Sequence, residues 1–238
     1  MPVVSDHNNL VQFRYHPDYL EGRREYETPT EVAADLAAKI TRRDIRFSSI
    51  VADGGNFTFG TIKTRRLTPI LVMTEKIFAE NPDMDRNEII SELSSCFPGH
   101  KFIFLPWDRG DVCGHTDGIL HAVGNNKVLV NLKVYPDDIA AKMRNRLESC
   151  FKVIDLELSD YHKLSWAYIN MLHTPKVIIV PGLGLPTDEE ALRQIKKLFP
   201  EYEDRIYQVQ MPSFVKRGGG ALNCLSWDYS VPPYAPPI

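Results

Sequence analysis

The chain has 238 residues, 43% of them hydrophobic and 25% charged, which is the composition of a soluble globular protein able to bury a sizeable core. A formal net charge of −3 supplies no basic field for nucleic acid. No run of about 18 apolar residues and no basic-then-apolar leader occurs, which leaves membrane-spanning and secretory readings without support.

A first helical pattern carries Val32, Ala33, Leu36 and Ile40, led by the capping stretch Thr28-Pro29-Thr30-Glu31, and the strand IRFSSIV (45–51) follows. Next come the strand PILVMT (69–74), a helix with Ile89, Ile90, Leu93, Cys96 and Phe97 on one face, and the strand KFIFLPW (101–107). The third group is KVLVNL (127–132), a helix presenting Ile139, Ala140, Met143, Leu147, Cys150 and Phe151, and KVIDLEL (152–158). The fourth is KVIIVPG (176–182), a helix with Ala191, Leu192, Ile195, Leu198 and Phe199 behind Thr187-Asp188-Glu189-Glu190, and RIYQVQM (205–211).

The four helices share one template, apolar at i, i+1, i+4, i+7 and i+8, except that Lys39 breaks it in the first and the third fits after a small slip. The repeating unit is therefore strand, strand, helix, strand, about four times over. Strand-helix alternation alone would also suit a doubly wound sheet, but module-sized repeats favour a circular, propeller-like arrangement. No linker divides the chain, so residues 1–238 are expected to form a single domain. The tail VPPYAPPI (231–238), with four prolines, is irregular.

Cys96, Cys113, Cys150 and Cys224 lack the paired spacing of zinc or redox sites, and a reduced, cytoplasmic protein is expected. The repeat gives Cys96 and Cys150 the position that Leu198 holds in the last unit, so both are expected to pack in the core.

Unusual residues gather after the closing strand of each unit: ADGGNF (52–57), CGHTDG (113–118), SWAYIN (165–170) and GGGALNC (218–224). In a circular arrangement these loops converge, which would bring Asp53, His115, Asp117 and Cys224 together. Singly, each has a plainer reading, the aspartates as turn residues, the histidine as a satisfied one and the cysteine as buried filler. Their equivalent placement in the repeat weighs against four coincidences. Cys113, His115 and Asp117 also alternate, and on a strand they could offer a metal three ligands, but no second cluster completes such a site, so no metal is expected.

At these residues the sequence resembles the agmatine deiminase and bacterial-type peptidylarginine deiminase family. The matching pieces are DGGNF (53–57), GHTDG (114–118), WAYIN with the following KVIIVPGLG, and GGGALNC (218–224), in family order. The resemblance implies a pseudo-fivefold α/β propeller of ββαβ modules with a central site. It implies Cys224 as nucleophile, His115 as general acid/base, and Asp117 as a carboxylate that holds the substrate guanidinium. Asp53 matches the acidic residue before the paired glycines, which supports the histidine and the substrate-binding network; many members have glutamate there.

The implied activity is deimination of a small guanidino substrate such as agmatine, or of an arginine side chain, through a covalent amidino-thioether, without metal or organic cofactor. No nucleic-acid or membrane partner is expected. Family members also carry an aspartate in a Trp-x-Arg-Asp motif shortly before a segment resembling MPVV (1–4), where this sequence begins. Asp44 in TRRDIR (41–46) does not replace it. The expectation is thus a propeller incomplete at its N-terminus, either because this sequence starts downstream of the true start or because the protein is naturally truncated. The chain as it stands is expected to be a poor deiminase, and homo-oligomerisation or a local rearrangement would cover its exposed edges. The alternative function is a truncated, weak or inactive member that only binds guanidinium ligands.

Overall fold

The computed structural model describes residues 3–4 and 10–229, so the proline-rich tail lies outside the described residues. In chain order the elements are β1 (Val3–Val4), β2 (Leu10–Arg14), α1 (Thr30–Thr41), β3 (Ile45–Val51), β4 (Thr58–Lys63), β5 (Leu67–Thr74), α2 (Lys76–Ala79), α3 (Arg86–Cys96) and β6 (Lys101–Leu105). They continue as β7 (Leu120–Ala122), β8 (Lys127–Val130), α4 (Asp137–Glu148), β9 (Lys152–Asp155), β10 (Leu172–His173), β11 (Ile178–Gly182), α5 (Asp188–Leu198), β12 (Ile206–Gln210) and α6 (Pro212–Gly218).

The strands form four three-stranded sheets, β1-β2-β3, β4-β5-β6, β7-β8-β9 and β10-β11-β12. Each has one plan: the first two strands are antiparallel, and the third joins the second in parallel after a helical crossover. A parallel pair cannot be closed by a tight turn, so each module needs a long crossover, and a helix supplies it. This is the expected ββαβ repeat. Among the described residues, no helix is long and apolar enough to cross a membrane.

Two compact units contain these elements. The first takes its described residues from Met1–Gly54, Lys76–Gly99 and Trp227–Ile238. Its core includes Leu10, Val11, Phe13, Ile50, Ile77, Ile89, Leu93 and Phe97, with the Phe13 and Phe97 rings stacked at 6.1 Å. Helix α3 starts on a full capping box: Asp85 accepts from the Asn87 and Glu88 N–H groups while Glu88 accepts from the Asp85 N–H.

Helix α1 corrects the sequence template. Its buried face is Ala33, Ala34 and Ala37, whereas Val32, Leu36 and Ile40 are 56%, 50% and 43% exposed. Both stripes are apolar at helical spacing, and periodicity alone cannot choose between them. Alanines admit the closer approach to β2, so the smaller stripe lies inward.

The second unit spans Gly55–Glu75 and His100–Ser226. Strand β8 shows how its sheets share a core: Val128 and Val130 join Ile70, Ile103, Leu105, Met143 and Leu147, whereas Leu129 points the other way and joins Val180, Ile195 and Phe199. Burial on both faces explains why KVLV reads as a continuous apolar run. Strands β1, β2, β4, β7 and β10 are not among those legible in the sequence; β1, β7 and β10 are too short to carry a period. Cys96 is buried as expected, but Cys150 is only half-buried, with the Lys101 ammonium 3.3 Å from its sulfur.

A histidine pair joins β7 to β10. The Tyr202 hydroxyl donates to the Thr174 carbonyl at 2.9 Å, so at 2.8 Å it accepts from His173 Nε2–H; His173 Nδ1 then accepts from His121 Nε2–H at 2.9 Å. Burial, and secondarily His173, lowers the His121 pKa to about 3. Its folded value lies below the unfolded one, so the stability that neutral His121 contributes is complete above about 6.5 and is lost progressively as pH falls towards 3. At pH 5 the loss is expected to be about 2 kcal/mol, or a Tm lower by about 4–8 °C than at pH 7.5. Thermal melts of wild type and His121→Gln check this, and equal pH sensitivity in the two proteins would remove the histidine from the account.

Candidate active site

The loop carrying His115 and Asp117 is fixed to the end of β5. Thr74, the last residue of that strand, donates its hydroxyl to the Gly114 carbonyl at 2.6 Å, and its N–H reaches Asn56 Oδ1 at 2.8 Å. Thr116, fully buried, reaches the Val72 carbonyl at 3.3 Å and accepts from the Thr58 hydroxyl at 3.0 Å. Asp111 Oδ1 closes the preceding turn by accepting from the N–H groups of Cys113 and Gly114. Residues 113–117 therefore lie on a bend and a 3-10 turn (Thr116–Gly118) and not on a strand. The one-sided ligand face that alternation would have produced does not form, and no group of three potential metal ligands occurs among the described residues.

His115 and Asp117 converge on Gly55. A Cβ placed on that glycine would lie 2.6 Å from His115 Nδ1, closer than packed atoms tolerate, and 3.1 Å from Asp117 Oδ2, a tight contact. The second glycine of DGGNF is thus required for space and not for an unusual dihedral. Gly55→Ala is expected to displace the imidazole and lower turnover by about tenfold or more with the fold intact. Paired kinetics and circular dichroism check this, and unchanged turnover would mean that the imidazole position is immaterial.

Cys224 arrives at the same place from the C-terminal side. Helix α6 ends at Gly218, Gly219 reverses the chain in the left-handed region (φ 66°), and Gly220 passes so close to Cys224 that an added Cβ would lie 3.1 Å from its Cβ. The Cys224 thiol is 3.6 Å from Asp117 Oδ2, which also accepts from Asn223 Nδ2 at 2.9 Å. Asp117 is 8% exposed, and its Oδ1 takes no hydrogen bond among the described residues. Although the cysteine as a whole is exposed, burial of its thiol, and then the Asp117 charge, pushes the pKa up to about 12.

Two residues of this cluster were not singled out in the sequence. Asn170, fully buried, accepts from the Cys224 N–H through Oδ1 at 3.2 Å and donates from Nδ2 to the Asp117 carbonyl at 3.3 Å. Its own carbonyl accepts from the Asn223 N–H at 3.2 Å. Tyr168, two residues earlier, is anchored by donating to Asp188 Oδ1 at 2.7 Å, so the WAYIN stretch holds Asn170 from a fixed base. Position within WAYIN and GGGALNC was the only available signal, since the contacts join residues far apart in sequence.

Asp53 belongs to the first unit, where it is 5% exposed and Tyr19 donates to its Oδ2 at 2.7 Å. Burial, and then Asp53, raises the Tyr19 phenol well above its ordinary value, which keeps it a donor. Beneath that ring the buried Lys76 ammonium pairs with Asp18 at 2.7 Å and Glu80 at 3.1 Å, and burial pushes Glu80 up to about 7 against the pull of Lys76.

The sequence matches the family described as Porphyromonas-type peptidyl-arginine deiminase over residues 1–229. The chain belongs to this family. A Lactococcus lactis protein provisionally described as an agmatine deiminase is 23% identical over 236 aligned residues, which cover 82% of this chain and 62% of that relative. The chain therefore spans less than two thirds of its curated relative's length. Among solved structures, the agmatine deiminase of Enterococcus faecalis superposes with a TM-score of 0.73 at 19% identity, covering 94% of this chain and 71% of the other. The Campylobacter jejuni agmatine deiminase gives 0.70 at 17% identity, with 94% and 69% covered. The chain accordingly has their α/β-propeller fold.

Proposed function

We propose that the protein hydrolyses a guanidino group by cysteine-dependent deimination. The observation that carries this reading is the pairing of the Cys224 thiol with Asp117 Oδ2, while Oδ1 of the same buried carboxylate remains open. A guanidinium is planar and permanently charged, so its carbon is a poor electrophile until the group is held and oriented. Asp117 Oδ1 supports one charge-assisted hydrogen bond to it, with the guanidinium carbon turned towards sulfur.

A thiol pushed up to about 12 is protonated at neutral pH, and a bound cation beside it favours the thiolate. In the proposed step Cys224 Sγ attacks the guanidinium carbon and His115 supplies the proton with which the departing nitrogen leaves as ammonia. A thiouronium remains on sulfur. His115 then takes a proton from water, the hydroxide adds to the same carbon, and collapse returns the thiol and leaves a ureido product. Asp53 enters this reading through its match to the family's acidic position.

The same raised thiol favours a second reading, a protein that binds guanidinium ligands without turning them over. Incubation with agmatine, free arginine and an arginine peptide separates the two. Stoichiometric ammonia and ureido product support deimination; saturable binding without product supports the binder. Activity abolished by a chelator would transfer the chemistry to a metal.

A further inference from the structure

Asn223 is half-buried, within reach of solvent, yet its side chain turns inward and donates to Asp117 Oδ2 at 2.9 Å. An amide that water could satisfy gains little by this contact alone, so the consequence of interest is what the contact fixes. Asp117 Oδ2 then has two donors, Asn223 Nδ2 and the Cys224 thiol, and Oδ1 has none among the described residues. With one oxygen pinned, the carboxylate cannot rotate about its last bond, and the open oxygen keeps a single direction.

The strut is itself braced. The Asn223 N–H is held by the Asn170 carbonyl, the next N–H, that of Cys224, by Asn170 Oδ1, and the Asn223 carbonyl accepts from the Ser226 hydroxyl at 3.1 Å. Asn170 is also tied to the Asp117 carbonyl, so both ends of the Asn223–Asp117 bond refer to one fully buried amide. We propose that Asn223 is a positioning residue, which pins Asp117 through Oδ2 so that Oδ1 faces the substrate cation and the carboxylate stays against Cys224. Its kinetic consequence rests on the deimination reading; its effect on Cys224 does not.

Two variants test it, Asn223→Ala and the isosteric Asn223→Asp, which keeps the shape and loses the N–H. Both are expected to raise KM for the guanidino substrate at least about tenfold with a smaller fall in kcat. The aspartate variant should be no better than alanine, because its charge repels Asp117. Independently of turnover, the pH profile of Cys224 alkylation by iodoacetamide should shift to lower pH in Asn223→Ala, as the unpinned carboxylate leaves the sulfur. A role in packing alone would let aspartate restore KM and leave the alkylation profile unmoved, and either result overturns the proposal. A profile shifted to higher pH does so too, since it would mean that Asn223 only dilutes the carboxylate's charge. If wild type forms no ureido product, the deimination reading fails and the alkylation profile still decides the role of Asn223.

Discussion

Serine in place of Cys224 is expected to reduce ureido-product formation by about 10⁴-fold or more, which is the scale of losing a covalent nucleophile. The substitution changes one atom, so binding of the cation to Asp117 should survive it. The reason lies in proton affinity. A bound cation can favour a thiolate, even one whose parent thiol has been pushed up to about 12, but a hydroxyl at the same place is far harder to ionise. The expected result is therefore a protein that still binds a guanidino ligand by calorimetry and releases no ammonia. Undiminished product formation by Cys224→Ser would refute the thiol mechanism, whereas loss of binding along with turnover would show that sulfur helps to hold the ligand.

How much of this was legible in the sequence depends on the distance over which each feature is determined. The helices and most of the strands on either side of them were readable because their periods are local; the ββαβ order was inferred from the repeat, while the first strand of each module was not itself legible. GHTDG and GGGALNC were readable as unusual loops, since three consecutive glycines before a cysteine require a reason that core packing does not supply. Gly219 and Gly220 provide two, a left-handed backbone and an approach to the cysteine that a side chain would crowd.

The inward face of α1 was not readable, because an alanine stripe and a Val-Leu-Ile stripe both satisfy the helical period and only the sheet beneath selects one. Nor were Asn170, Asn223 or the His121–His173 pair, whose meaning comes from partners on other loops and strands. A polar residue in a loop gives no sign of whether it will meet water or a carboxylate.

Asp117→Asn separates the two roles of that carboxylate by moving two measurements in opposite directions. On the proposed deimination, removing the charge deprives the guanidinium of its ionic partner, and kcat/KM is expected to fall by about 10²–10³-fold, the scale on which losing a charge-assisted contact and the orientation it imposes acts. The free protein should respond the other way. Asp117 raises the Cys224 thiol, both by its charge and by accepting from the S–H, so its loss lowers that pKa towards the ordinary thiol value and increases the thiolate fraction at pH 9, by about tenfold for each unit regained. Iodoacetamide should accordingly label Cys224 faster in the variant that turns substrate over more slowly. Slower labelling together with slower turnover would mean that the site had collapsed, and full turnover with faster labelling would mean that Asp117 does not hold the substrate. Opposite movement of the two rates is the signature of a carboxylate that suppresses the nucleophile until a cation arrives to share it.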